Sequence, residues 1–481
     1  MMDQKLIIGF FLCLGMCLSS CRKNENVIHL CTTETDNWQQ VETKENISSD
    51  KVVAVTINLS KDDRAQVIEG FGACFNELGW TSLSVLSRED RNSIMKELFE
   101  PDYGACFTVC RMPVGANDFS RDWYSYNEMP EDFEMKNFSI ENDKETLMPF
   151  IKEARGYQPN LRLWASPWCP PSWMKYNKHY ASAYTGEEYD EKYRNGLPKD
   201  KIGREGTDMF IQDSSYMKAY ALYFKKFIRA YAEQGIPVYA VMPQNEFNSA
   251  QIFPSCCWTA KGLTEFVGNY LGPAMKEEGV EVMFGTMERA NASLVDTLLQ
   301  DKQSASYIKG VGFQWAGKGC VGEVHQRYPE LLLVQSEQEC GDGKNNWEGM
   351  LHSWNLLKHY LNNGVSIYDY WNISLLKGGI SRWGWAQNSL VVVDAEAKTY
   401  RYTYEYYLMK HFSHFVKKGA VRLNVSGDLE DVLAFLNPDG TLVLLCMEKE
   451  GKDKYVLVNI DGKSEKVYLK ANSLNTWNFK S

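Results

Sequence analysis

Runs of Lys or Arg are missing from this 481-residue chain, whose formal net charge is −10. A nucleic acid or an anionic membrane surface is thereby disfavoured as its main partner. Beyond the N-terminus no apolar stretch is long enough to cross a bilayer. The 13 cysteines form no CxxC pair and show no zinc spacing, so no disulfide framework is legible. Cys106 and Cys110, in apolar strand-like segments, read as buried free thiols. His411 and His414 stand one helical turn apart without a companion ligand, which favours solvated histidines over a metal site. No Ser-His-Asp arrangement stands out, and no cofactor is implied.

What is present is a large apolar fraction, 44%, with 14 Trp and 27 Tyr. The chain can bury a sizeable core. The aromatic excess suggests rings in a cleft, where they stack on sugars or other flat apolar faces. At the N-terminus, Leu6 to Leu18 is apolar but too short to span as a mature helix, and reads as an export signal. "LSSC" at 18–21 resembles the bacterial lipobox, which makes Cys21 the candidate lipid anchor; a plain secretory signal is the alternative. The expected organisation is a signal at 1–21, a polar tether at 22–50, one or more strands at 51–68 joining a β-sandwich, a barrel at 69–414 and the rest of the sandwich at 415–481.

The middle of the chain alternates apolar strand, polar loop and amphipathic helix. Strands are expected near Gly70–Cys74, Phe107–Met112, Leu161–Ala165, Val238–Met242, Val282–Gly285, Val311–Gln314, Leu331–Gln335 and Val365–Tyr370. Between them, "YMKAYALYFKKFIRAYAEQG" repeats apolar residues at spacings of three and four, and "WEGMLHSWNLLKHYLNNG" does the same before an Asn-Asn-Gly stop. Eight such units predict an α/β fold, a (β/α)8 TIM barrel, with its active site at the carboxyl ends of the strands. An open doubly wound sheet is the alternative, but "EGFGACF" after the first strand lacks GxGxxG. From about residue 415, short strands separated by turns such as Asp461-Gly462 predict the sandwich.

Polar residues just past the strands converge on one mouth in such a barrel. Strand two ends in Arg111 and runs on to Asp118, strand three in "ASPWCPPSW", and strand four in Gln244-Asn245-Glu246. Strand seven ends in Ser336-Glu337-Gln338-Glu339, and strand eight in Trp371-Asn372. Cleaving a glycosidic bond takes an acid that protonates the leaving oxygen and a second carboxylate at the anomeric carbon. Strands four and seven face each other, so Glu246 and Glu337 can flank a sugar.

"EGFGACF", "RMPVGANDFS", "ASPWCPPSWMK", "PQNE", "LLLVQSEQECG" and "YWNISLLKGGISRWGWAQNSLVVVD" resemble, in order, the enzymes of glycoside hydrolase family 30, which include lysosomal glucosylceramidase. The resemblance runs from about residue 52 to the end. It implies a clan A barrel with an attached β-sandwich and a retaining β-glycosidase. Glu246 becomes the acid/base and Glu337 the nucleophile, with Glu339 the rival nucleophile. Arg111 matches the basic residue that keeps the nucleophile ionised, and Asn245 the amide that contacts the sugar 2-hydroxyl. Asp118, Trp168 and Trp371 match the lining of the first sugar site, to which Trp385, Asn388 and Gln314 are added. Plainer roles stay open: an ion pair for Arg111, a cap for Asp118, core packing for Trp168 and Trp371. Phe247 stands where the family usually has Pro, and Phe313-Gln314-Trp315-Ala316 where it has a His with a Tyr nearby, a tyrosine that would have touched the nucleophile.

β-Glucosides and β-1,6-glucan are the favoured substrates, with β-xylosides, β-fucosides and β-galactosides as alternatives. A glycan-binding surface lipoprotein without chemistry is the alternative of another class. The expected partner is a carbohydrate, with membrane contact only through the lipid anchor. No feature of the chain fixes its oligomeric state.

Overall fold

Alternation of apolar strands with amphipathic helices carries through into the architecture. The computed structural model describes residues 27–41 and 53–480. The parallel strands are β1 (Gly70–Cys74), β2 (Val109–Pro113), β3 (Arg162–Ser166), β4 (Ala240–Val241), β5 (Glu281–Met287), β6 (Ile308–Gln314), β7 (Leu332–Glu337) and β8 (Val365–Asn372). They close into a barrel in the order β7-β8-β1-β2-β3-β4-β5-β6. Every expected strand is present, although β4 is shorter than Val238–Met242 and β6 begins earlier than Val311.

Alternate side chains on each strand face opposite ways. Val109, Trp164, Met242, Met283, Val334 and Ile367 meet inside the barrel, while Cys110, Leu163, Val241 and Leu333 pack into the larger core outside it. The same parity turns Arg111, Ser166 and Trp371 inward at the upper end. Strict alternation from Val334 would turn Glu337 outward. A register shift between Gln335 and Glu337 against β6 breaks the alternation and lets Glu337 reach the mouth.

Helix α1 (Ser214–Glu233) is capped by Asp213 and buries Met217, Tyr220, Ala221, Phe224, Phe227, Ile228 and Tyr231, the stripe that the spacing predicts. Helix α2 (Trp347–Asn362) is capped by Asn346. It ends before Gly364, whose φ of 91° lies in the left-handed region.

The second domain is built on a nine-stranded sheet, in the order 463–469, 454–460, 53–67, 421–427, 432–436, 442–448, 473–479, 27–33, 39–40. Strand Val53–Val67 joins it, as expected, between two C-terminal strands. The tether expectation fails over residues 27–41: Val27–Thr33 pairs antiparallel along the whole of Ser473–Phe479. Its polar residues suggested solvent, but they are buried and satisfied. His29 bonds Asn475 at 2.8 Å and stacks on Trp477, and Thr32 bonds His411 at 2.9 Å. Cys21 and the export signal lie outside the described residues.

Helix α3 (Tyr404–Ser413) links the domains, and here the expectation of solvated histidines is overturned. His411 is fully buried between Thr32 and Thr476, and burial pushes it down to about 3. His414 Nδ1 donates to the Gly104 carbonyl at 2.7 Å, at the barrel floor. Among the described residues no group of three His, Cys, Asp or Glu could hold a metal, and all ten cysteines are buried and unpaired.

Candidate active site

The loop after β4 carries Glu246 to the mouth with a φ of 46°, a left-handed conformation that costs a non-glycine residue about 1–3 kcal/mol. Its backbone N–H donates to Thr286 Oγ1 at 2.8 Å, which anchors the turn to β5. Phe247, in place of the family's Pro, is buried against Phe284.

Glu246 and Glu337 are both buried, 4% exposed each. Gln314 joins them: its Nε2 lies 3.1 Å from Glu246 Oε1 and 3.2 Å from Glu337 Oε2. Two bonds to one nitrogen hold those two oxygens close together, which admits the ~5–5.5 Å carboxyl separation of retaining enzymes. The Gln314 amide is itself fixed, because its Oε1 accepts from Arg111 and from Ser336 Oγ.

The two acids differ in their neighbours. Glu337 accepts from Arg111 Nη1 at 3.0 Å, from Trp315 Nε1 at 3.0 Å and from Gln314. Glu246 accepts only from the amides of Gln314 and Gln251. Burial, and then the charge of Glu337, pushes Glu246 up to about 8. Burial also pushes Glu337 above the ordinary carboxylate range, but Arg111 and the Trp315 indole pull it back. The proton shared by the pair therefore resides on Glu246, and the charge on Glu337.

Arg111 spends its other amino group on Ser166 Oγ at 2.9 Å and Asn245 Oδ1 at 2.7 Å. Its guanidinium carbon lies 4.2 Å from the Trp168 ring and 5.5 Å from the Trp371 ring. Those two indoles are 1% and 0% exposed and stack on each other at 5.4 Å. The expectation that Trp168 and Trp371 line the sugar site is thus corrected: they lie beneath it and hold Arg111. Gln314 is likewise not part of the cavity wall; it braces the two carboxylates.

The cavity above this layer has a volume of about 390 Å³, within the range of small-molecule sites. Asp118, Glu246, Glu337 and Trp385 line it, as expected, and Tyr189 brings the 175–213 excursion into its wall. Asp118 Oδ1 is buried without a partner among the described residues, and burial followed by the Glu337 charge pushes its carboxyl well above the usual range. Asn245 accepts three bonds on Oδ1, from Arg111, Thr286 and Gln314, and its Nδ2 has no protein partner among the described residues. That leaves a donor for a sugar hydroxyl beside Glu246.

Two further expectations are corrected. Asn388 faces away from the cavity, donating to Glu405 at 2.6 Å and accepting from the Asn345 backbone at 3.0 Å. The residue before it, Gln387, lines the cavity instead, its Oε1 held by Asn372. Glu339, the rival nucleophile, turns aside to Lys318 at 2.5 Å and His352 at 3.0 Å. β7 ends at Glu337, so the extended alternation that would have aligned Glu339 with it stops there.

Sequence reasoning missed Trp315, Thr286, Gln251, Glu288 and Gln387. Trp315 does what the absent tyrosine was expected to do, and reaches Glu337 through a left-handed φ of 46°. Thr286 and Glu288 sit at the end of β5 and just past it, a strand end whose polar residues offered no recognisable pattern.

Comparisons with known proteins agree with this fold. Residues 68–197 and 199–416 match the profile of the Glycosyl hydrolase family 30 TIM-barrel domain, and 419–477 that of the Glycosyl hydrolase family 30 beta sandwich domain. The chain is 30% identical over 422 residues to "Putative glucosylceramidase 1" of Caenorhabditis elegans, covering 82% of this chain and 76% of that protein. It is 26% identical over 457 residues to "Endo-1,6-beta-D-glucanase neg1" of Aspergillus fumigatus, covering 90% and 89%. Among solved structures, "The endo-beta1,6-glucanase BT3312" superposes with a TM-score of 0.79 at 24% identity, covering 95% of this chain and 100% of that one.

Proposed function

The chain belongs to glycosyl hydrolase family 30 and is a glycoside hydrolase, and from that premise we propose that it cleaves β-linked glucosides, β-1,6-glucan first among them, by double displacement. The observation that supports the mechanism is the shared contact of Gln314 with Glu246 and Glu337, a spacing compatible with direct attack. Glu246 gives its proton to the glycosidic oxygen while Glu337 attacks the anomeric carbon, and the leaving alcohol departs. Glu246, now a carboxylate, takes a proton from water, whose oxygen displaces Glu337 and restores both groups. Asn245 Nδ2 supplies the donor for the 2-hydroxyl, a contact that strengthens as charge develops on the ring.

The preference for β-1,6-glucan draws on the near full-length similarity to the Aspergillus glucanase. The test is product analysis: NMR of a β-1,6-glucan digest should show the β-anomer appearing first. A 2-deoxy-2-fluoroglucoside should label a peptide containing Glu337. An α-anomer first, or label elsewhere, would overturn the reading.

We also propose that the chain is exported and lipidated on Cys21, which the apolar stretch and "LSSC" support. Cys21→Ala should abolish incorporation of labelled fatty acid; incorporation that persists would refute the anchor.

A further inference from the structure

We propose that the cavity beyond Glu246 is a leaving-group site built for a neutral sugar ring, in which Glu288 accepts hydroxyls and Phe253 and Trp385 cover the ring's face. The inference rests on the double-displacement reading and names what that reaction expels. Because Glu246 protonates the departing oxygen, the leaving group lies against the residues on its own side of the cavity. These are Gln251 and Phe253, from the same loop, and Glu288, just past the neighbouring strand β5.

Glu288 is the informative residue. It is 8% exposed and lines the cavity. One of its carboxylate oxygens pairs with Arg289 Nη1. Arg289 is steadied in turn by Glu205 Oε1 at 2.8 Å and Ser249 Oγ at 3.3 Å. The other oxygen of Glu288 has no protein partner among the described residues. An acyl chain laid against it would strip its water and return nothing, whereas a sugar hydroxyl would donate a charge-assisted bond. Phe253 and Trp385, with centroids 5.2 Å apart and planes inclined at 55°, offer two apolar ring faces, either of which a sugar ring's C–H face can cover. The wall holds four acidic side chains, of which burial keeps Asp118 and Glu246 protonated while Glu288 and Glu337 are each paired with an arginine behind the wall, and it presents no Lys, Arg or His to pair with a uronic acid or sulfated sugar.

The experiment compares kcat/KM for a β-1,6-linked glucose disaccharide, dodecyl β-glucoside and nitrophenyl β-glucoside, in the wild type and in Glu288→Ala and Phe253→Ala. The wild type should favour the disaccharide over the dodecyl glucoside by ~10-fold or more. In Glu288→Ala the disaccharide-to-nitrophenyl ratio should fall by ~10–100-fold, the range of a lost bond to a charged group, and in Phe253→Ala, which loses only an apolar face, by a smaller factor. Preference for the dodecyl glucoside, or an unchanged ratio in both variants, would overturn the sugar site while the glycosidase reading stands. No hydrolysis of any of the three by the wild type would remove that reading itself.

Discussion

The Arg111 guanidinium and the Glu337 carboxylate meet at 3.0 Å with both side chains out of solvent, 0% and 5% exposed. Removing one partner of such a pair leaves an uncompensated buried charge, a cost of about 3–5 kcal/mol. Arg111 also opposes the upward push of burial on Glu337. Arg111→Met should therefore lower kcat/KM by ~100-fold or more and move the acid limb of its pH profile to higher pH. A profile reduced in height with an unmoved acid limb would show that Arg111 is only structural.

Gln314 is poised to follow the charge through the cycle. Its amide hydrogens can serve Glu337 while that group is ionised, and Glu246 once the glycosyl-enzyme has formed. Its bonds pull both carboxyl groups down against burial. Gln314→Leu should then shift both limbs of the kcat/KM profile upward, with a ~10–100-fold loss at the optimum. A single shifted limb would mean that the amide serves one carboxylate only.

Much of this was legible because periodicity and strand-end chemistry are local properties. The eight barrel strands, the buried stripe of α1 and the inward turn of Arg111 follow from alternation, and the presence of Asp118, Glu246 and Glu337 at the mouth from the rule that barrel sites gather at carboxyl ends, whereas the register shift that turns Glu337 inward leaves no mark in the sequence. What escaped depends on partners distant in the chain. Val27–Thr33 looks like a linker until Asn475 and His411 are brought beside its polar side chains. Trp168 and Trp371 look like sugar platforms until Arg111 is seen lying against them. Asn388 and Gln387 are adjacent amides, and only contacts with Glu405 and Asn372 decide which one faces the cavity.

Glu246 must be protonated to release the leaving group, and its surroundings push it up to about 8. Activity should accordingly hold through neutral pH and fall as pH rises through about 8, since the acid form disappears there. Glu246→Gln cannot donate, so the alkaline limb should vanish and hydrolysis of unactivated glucosides should drop by ~10²–10⁴-fold. Nitrophenyl glucosides, which leave without a proton, should lose less in the first step, and azide should restore turnover with a β-glucosyl azide as product. An α-azide from this variant would exchange the roles of Glu246 and Glu337.

Trp315→Phe keeps the ring at the mouth and removes only the N–H that reaches Glu337 at 3.0 Å. Because that bond favours the ionised nucleophile, its loss should raise the acid limb and reduce kcat/KM by ~10-fold. Equal limbs in variant and wild type would assign Trp315 to packing alone.

Stability should carry its own pH signature, through Asp369 on β8. Its carboxyl lies inside the barrel, accepts from Trp164 Nε1 at 2.8 Å and leaves Oδ1 without a partner among the described residues. Burial pushes it from 3.8 up to about 8. The native state thus holds this proton more tightly than the unfolded chain does. The resulting stabilisation is complete below about 3.8 and is lost as pH rises through about 8. Glu405, pushed up to about 7, acts in the same direction. Wild-type Tm should decline from pH 5 to pH 8. Asp369→Asn keeps an acceptor for the Trp164 indole and cannot ionise, so its Tm should decline less steeply and exceed the wild type's at pH 8 by ~1 °C per kcal/mol recovered in a chain of this length. Parallel Tm curves for the two proteins would show that Asp369 titrates alike in the folded and unfolded states.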